Sequence, residues 1–183
     1  MGLFCEKLRT KIGHYLNGLK KVEKTTLESV KSSEVKSLLI LSDISMPNTL
    51  QGINQLKKAF KEMCPKINFT AINFNSKQLE RSETLISDTN KEYISEEDFS
   101  FFFKINNETV KEYLSREYDI IVLLTTQKQL YIDFLFKYTR GVLLIGKKNI
   151  SEQLNFIVDS EIDDVNKLAE TISKTYKMMF LNN

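Results

Sequence analysis

The chain has few of the residues from which metal and catalytic centres are usually built. Its 183 residues include one histidine, His14, two cysteines, Cys5 and Cys64, and no tryptophan. A single histidine and two widely spaced cysteines fit no metal-binding motif, and two cysteines make no disulfide framework. We therefore expect free thiols in a reducing compartment, the cytoplasm, with no metal and no cofactor. No residue is assigned a catalytic role.

Glycine and proline are also scarce, with six and two copies. The chain contains no G-x-G-x-x-G, no phosphate-binding loop ending in Gly-Lys-Ser/Thr and no G-x-S-x-G. The turn after the first apolar run, residues 42–45, has no glycine. These absences argue against a conventional dinucleotide site, a nucleoside triphosphate site and the nucleophile elbow of a hydrolase.

Neither a strong charge of one sign nor a long apolar run is present. The net charge is +2, so no field over the whole domain favours DNA. No window approaches the roughly 18 apolar residues of a membrane span. Charges at Glu6, Lys7 and Arg9 interrupt any secretory signal core. The 42% hydrophobic content is ordinary for a globular protein and is enough to fill one core.

The most informative stretch that is present runs from residue 118 to 146. An apolar run at 120–124 is followed by a polar turn, an amphipathic segment at 130–138, Gly141 and a second apolar run at 142–145. Strands that are apolar on both faces are typical of a parallel sheet covered on both sides. The stretch therefore predicts a strand, a crossover helix and a second parallel strand.

Similar patterns predict the remaining elements. We expect strands at 35–41, 67–74, 92–94 and 154–159, with the last at an edge, and helices at 50–64, 109–116 and 163–181. Asn48 or Thr49 is expected to cap the first of these helices, residues 95–98 resemble a capping box, and residues 163–164 place carboxylates at the start of the closing helix. Residues 99–103 are expected to form a helical turn that carries four phenylalanines into the core.

The predicted fold is a three-layer α/β domain with a mostly parallel sheet of about five strands, Rossmann-like or flavodoxin-like, and an N-terminal helical extension. Residues 1–34 would form a basic amphipathic arm and linker, and residues 35–183 a single domain. Charge is mildly uneven, because residues 1–36 hold eight Lys or Arg against four Glu, whereas the remainder holds 18 basic and 20 acidic residues. A solvated helix face and an anionic partner explain this asymmetry equally well.

The arm carries the leading functional hypothesis, a non-enzymatic binding or protein-interaction module. Steps of three and four residues place its apolar side chains on one helical stripe, beside lysines. The arm would dock on its own domain, on a second copy of the chain or on a partner. A second alternative is attachment to an anionic membrane or RNA surface. The residues assigned to interaction are Phe4, Lys7, Leu8, Lys11, Ile12, Tyr15 and Leu19.

The other alternative is a small-molecule site for a nucleotide or sugar nucleotide, or a degenerate enzyme domain. Open parallel sheets bind ligands beyond the carboxyl ends of their strands, where the strand order reverses. Polar residues at those ends are also expected as ordinary turn formers, so the two interpretations stay open. The residues assigned to a ligand are Ser42, Asp43, Asn75, Thr125, Thr126, Gly146 and Lys147.

The block EYDIIVLL followed by YIDFLFKYTRGVLLIG, with the basic N-terminal helix and the Ser-Glu-Glu-Asp turn at 95–98, resembles a family of small Bacteroidota proteins. That family is an uncharacterised domain of unknown function, and the resemblance covers most of the chain. It implies a cytoplasmic α/β protein without a known activity. The same block is distantly similar to the acceptor-side half of two-domain glycosyltransferases, a likeness of fold rather than of chemistry.

Overall fold

The computed structural model describes residues 35–75, 91–158 and 161–181. Strands and helices alternate along these ranges. In chain order they are β1 (Ser37–Asp43), α1 (Thr49–Met63), β2 (Asn68–Phe74), β3 (Lys91–Ile94), a 3-10 turn (Glu96–Asp98), α2 (Glu108–Ser115), β4 (Glu117–Leu124), α3 (Leu130–Tyr138), β5 (Arg140–Lys147), β6 (Phe156–Val158) and α4 (Val165–Phe180).

The strands form one sheet in the order β3-β2-β1-β4-β5-β6, and every neighbouring pair is parallel. This is the doubly wound Rossmann order, in which the chain winds outward in both directions from the two central strands, β1 and β4. The predicted α/β fold is confirmed. The short β3 brings the number of strands in the described ranges to six, and β6 lies at the predicted edge.

Helices cover both faces of the sheet, because the central strands are apolar on both sides. Leu38 and Ile40 of β1 pack in the cluster formed with α1 and α4, whereas Leu39 and Leu41 pack in the cluster formed with α2 and α3. On the first face the rings of Phe60 and Tyr176 lie 4.8 Å apart between their centroids. The sheet lies between these two clusters and carries helices on each face, which gives the three predicted layers.

The prediction that residues 99–103 carry all their phenylalanines into the core is wrong in part. Phe99 and Phe103 are buried, but Phe101 is 58% exposed and Phe102 is 40% exposed. The helical turn ends at Asp98, and a tight turn follows in which the Ser100 amide donates to the Lys104 carbonyl. Such a turn directs its tip away from the sheet, so only its two flanking rings reach the core.

The expected helix caps are confirmed in two places and wrong in one. The Ser95 amide donates to the Asp98 carboxylate over 2.8 Å, and Asp164 caps α4 by accepting from the Lys167 amide. Asn48 precedes α1 in a left-handed conformation, with φ of 63°, and its side chain makes no capping bond. Thr49 is turned back instead, and its hydroxyl lies within donating distance of the Asp43 and Met46 carbonyls.

The N-terminal arm and its seven predicted interaction residues lie outside the described residues. No helix within residues 35–75, 91–158 or 161–181 is long and apolar enough to cross a membrane.

Candidate functional site

The carboxyl ends of β1 and β4 lie side by side at the centre of the sheet, where the strand order reverses. The turn from β1 to α1 contacts the turn from β4 to α3, because the Thr125 hydroxyl lies 3.3 Å from the Met46 sulfur. The β1 turn is also tied to β2, since the Ile44 amide donates to the Phe74 carbonyl over 2.9 Å. Three neighbouring strands therefore end in one connected group of turns.

Three buried polar atoms at this edge have no hydrogen-bond partner among the described residues. They are Oδ2 of Asp43 on β1, Nδ2 of Asn73 on β2 and Oγ1 of Thr126 after β4. Asp43 and Asn73 are fully buried, and Thr126 is 5% exposed. Buried polar groups in folded proteins are almost always paired, so three unpaired atoms on three adjacent strands are unusual.

Asp43 is held in place through its other oxygen. Oδ1 accepts from both the amide and the hydroxyl of Ser45, and the Asp43 carbonyl accepts from Thr49. This short local turn fixes the carboxyl group without using Oδ2. A fully buried carboxylate with a fixed position and one unused oxygen is a strong hydrogen-bond acceptor for a group that carries protons.

Asn73 lies at an expected strand end, but it is not among the residues assigned to a ligand. Its Oδ1 accepts from the hydroxyl of Ser42, its neighbour in register, over 2.7 Å. That bond orients the amide so that Nδ2 is left as a donor. The signal in the sequence is a polar Asn between Ile72 and Phe74, which ordinary alternation along a strand explains equally well.

The other predicted ligand residues have structural contacts of their own. A Cβ added at Gly146 would lie 3.0 Å from the Leu154 methyl groups, so this glycine packs closely against Leu154. Lys147 donates to the Ile162 carbonyl over 2.8 Å and ties β5 to the segment before α4. The backbone N–H of the buried Asn75 donates to the Ile94 carbonyl of β3. The rest of the predicted set, which is Ser42, Asp43, Thr125 and Thr126, lies at the two central strands.

An open groove of about 600 Å³ lies at the start of α4. Its walls carry three carboxylates and one lysine, from Glu161, Asp163, Asp164 and Lys167. The pKa of Asp164 is lowered by the hydrogen bonds it accepts from the Lys167 amide and from Asn48. In the part of the chain that the structure describes, no group of three or more His, Cys, Asp or Glu side chains is placed to hold a metal ion.

The fold and the carboxyl ends of its central strands define an α/β protein of the doubly wound class, with polar groups at the topological switch point, where the strand order reverses. The chain belongs to a family of unknown function (DUF6913), whose sequence model matches residues 11–179. No curated protein and no solved structure matches the chain.

Proposed function

We propose that the protein binds a polar small molecule at the carboxyl edge of its sheet, through Asp43, Asn73 and Thr126. The observation that carries the proposal is the set of three unpaired buried atoms on adjacent strands. Leaving one buried donor or acceptor unpaired costs about 1–3 kcal/mol. A ligand that pairs with any of these atoms would recover part of this cost, and their position at the strand ends agrees with where doubly wound sheets bind ligands.

Access to these atoms would require a local movement, because all three residues are buried. Met46 is suited to this, since it is half-buried and bridges the two central turns by its contact with Thr125. Methionine is unbranched and changes conformation at small cost. We expect the Met46 side chain to be displaced when the ligand enters.

A thermal-shift screen of polar metabolites, followed by calorimetric titration of any compound that responds, tests the proposal. A compound present at about 100 times its dissociation constant should stabilise the protein by about 2.7 kcal/mol. Asp43→Asn keeps the acceptor for Ser45 but removes the negative charge, so the response should fall. Tyr176→Phe is the control, because it removes an unpaired buried hydroxyl that lies on α4, away from the turns. A flat response across the screen contradicts the proposal.

The N-terminal arm supports a second function, the interaction module. The family match begins at residue 11, so Lys11, Ile12, Tyr15 and Leu19 fall within the stretch that members share. We propose that the arm binds a protein partner or a second copy of the chain, in the cytoplasm. Removing residues 1–24 should abolish recovery of the partner while the circular dichroism of the domain stays unchanged. Unchanged recovery contradicts this function.

Attachment to an anionic membrane or RNA surface is the alternative for the same arm. It predicts that the protein co-sediments with vesicles of anionic lipid and that salt reverses the binding. The Bacteroidota origin and the distant likeness to glycosyltransferases stay proposals that rest on the resemblance described above.

A further inference from the structure

A carboxylate lies beside the place where phosphate binds in this topology. In doubly wound folds the phosphate of a nucleotide lies against the N-terminus of the helix that follows β1. Here Nδ2 of the Asn48 side chain, directly before α1, donates to Oδ2 of Asp164 over 2.6 Å. The other oxygen of Asp164 accepts from the Lys167 amide at the start of α4. One carboxylate therefore caps α4 and binds the side chain that directly precedes α1.

The turn between β1 and α1 also prevents a close approach of its backbone to a phosphate. Residues 44–48 contain no glycine, and Pro47 has no amide proton to donate. Gly52 is the one glycine in α1, and a Cβ there would lie 3.0 Å from the Val165 carbonyl. This glycine is used for packing α1 against α4, so the feature that admits phosphate in related topologies is missing.

The charge at the switch point is unfavourable for an anion. The two central turns, residues 44–48 and 125–129, contain one basic residue, Lys128. Lys147, at the end of β5, donates to the Ile162 carbonyl and approaches Asp163 at 3.4 Å. Asp43 is fully buried, and no ion pair involves it among the described residues. A buried carboxylate is stabilised by a cation and repels a phosphate.

We infer that the ligand of this site carries a protonated amine and no phosphate. This inference rests on the proposed function. The amine would donate to Oδ2 of Asp43, which no described residue uses. The Thr126 hydroxyl is available to a second polar group of the ligand, because a hydroxyl both donates and accepts. The ligand would therefore lie at the usual position for the Rossmann strand order, but it would differ in chemical class from a nucleotide.

Two matched sets of probes separate the contributions of amine and phosphate. The first set is serine, phosphoserine and glycerate, and the second is glucosamine, glucosamine 6-phosphate and glucose. In each set the first compound carries the amine alone, the second adds a phosphate and the third lacks the amine. Titration calorimetry with the full chain should give the tightest binding for the amine compound of a set. Asp43→Asn should weaken it about tenfold, the loss of one charged hydrogen bond.

A phosphorylated or amine-free probe that binds as tightly as its amine counterpart overturns the inference and leaves the proposed function standing. Binding of an amine that Asp43→Asn leaves unchanged overturns it as well. Failure of all six probes, together with a flat response in the thermal-shift screen, would contradict the proposed function itself. Circular dichroism confirms that the variant is folded, and Thr126→Val supplies a second variant that keeps the charge of Asp43.

Discussion

Asp119 joins the two central strands at their amino ends through a single carboxylate. Its Oδ2 accepts from the amides of Lys36 and Ser37 and from the Ser37 hydroxyl, at 2.8, 2.9 and 3.0 Å. The Asp119 amide in turn lies 3.0 Å from the Ser37 hydroxyl oxygen and donates to it. This aspartate lies in the block that resembles the family, and its contacts give it a structural role.

We predict that Asp119→Ala lowers the free energy of unfolding by about 2–3 kcal/mol, because it removes hydrogen bonds to a charged acceptor. Glu117→Ala is the control, since Glu117 lies on the same strand and is exposed. Its effect should stay within about 0.5 kcal/mol. Urea denaturation curves with equal slopes measure both values. Equal effects of the two substitutions would show that Asp119 does not hold the strands together.

At the scale of the element, Asn155 extends the sheet with its side chain before β6 begins. Its Oδ1 accepts from the Leu144 amide over 2.7 Å, and its Nδ2 donates to the Val142 carbonyl over 2.8 Å. The carboxamide thus takes the place of a peptide group along the outer side of β5. Covering a strand edge in this way protects it from pairing with another chain.

We predict that Asn155→Ala lowers the free energy of unfolding by about 1–3 kcal/mol, because two backbone groups of β5 lose their partners. Asn155→Asp keeps the acceptor for Leu144 but loses the donor to Val142, so it should also destabilise. Hydrogen exchange of the Leu144 amide should become faster in both variants. Glu152→Ala, in the same loop and exposed, is the control. Exchange at Leu144 that matches the control would contradict this role.

The elements that the sequence predicts well are those with a strong local pattern. The apolar runs at 38–41, 120–124 and 143–145 can be buried only in a sheet covered on both faces. The exposure of Phe101 and Phe102 is not predictable, because the local sequence does not tell which side of a tight turn faces the core. Strand order is not predictable either, because it depends on pairings between distant segments.

The candidate site is predictable in position but not in detail. Asp43 and Thr126 can be found because they follow apolar runs, where strands are expected to end. Asn73 also lies at an expected strand end, but its availability cannot be predicted, because it depends on the bond from Ser42 on another strand. The hydrogen bond from the Asn48 side chain to Asp164 cannot be foreseen, since 116 positions separate the two residues.

At the scale of the whole molecule, the covered faces of the sheet make stability sensitive to alkaline pH. Burial raises the pKa of Tyr176, Tyr118 and Cys64 above their ordinary values of 10.0, 10.0 and 9.0. A raised pKa in the folded protein means that the unfolded chain releases these protons first. The stability contribution of these groups is therefore complete below pH 9.0 and is lost as the pH rises through the pKa of the folded state.

We predict that the free energy of unfolding falls above pH 9.0, with a slope of about 1.4 kcal/mol per pH unit for each group that is ionised only in the unfolded chain. Tyr176→Phe should make the slope shallower above about pH 10. At neutral pH this variant should be unchanged or more stable by up to about 1 kcal/mol, because the hydroxyl it removes has no partner among the described residues. Stability that is constant up to about pH 11 would contradict the prediction.

The central claim is that the switch point keeps polar groups unpaired for a ligand, and two adjacent threonines test it most directly. Both are buried, but the Thr125 hydroxyl donates to the Gln127 carbonyl over 3.0 Å, whereas the Thr126 hydroxyl has no partner among the described residues. Replacing each with valine removes the hydroxyl and keeps the shape. The measurement is the free energy of unfolding of each variant, without ligand, by urea denaturation.

Thr126→Val should raise the free energy of unfolding by about 1 kcal/mol, because it removes an unpaired buried hydroxyl, and Thr125→Val should lower it by about the same amount. Opposite signs at neighbouring positions would show that one hydroxyl stabilises the fold and the other does not. If Thr126→Val destabilises the protein as much as Thr125→Val does, the hydroxyl of Thr126 already serves the fold, and the interpretation of the switch point as a ligand site is contradicted.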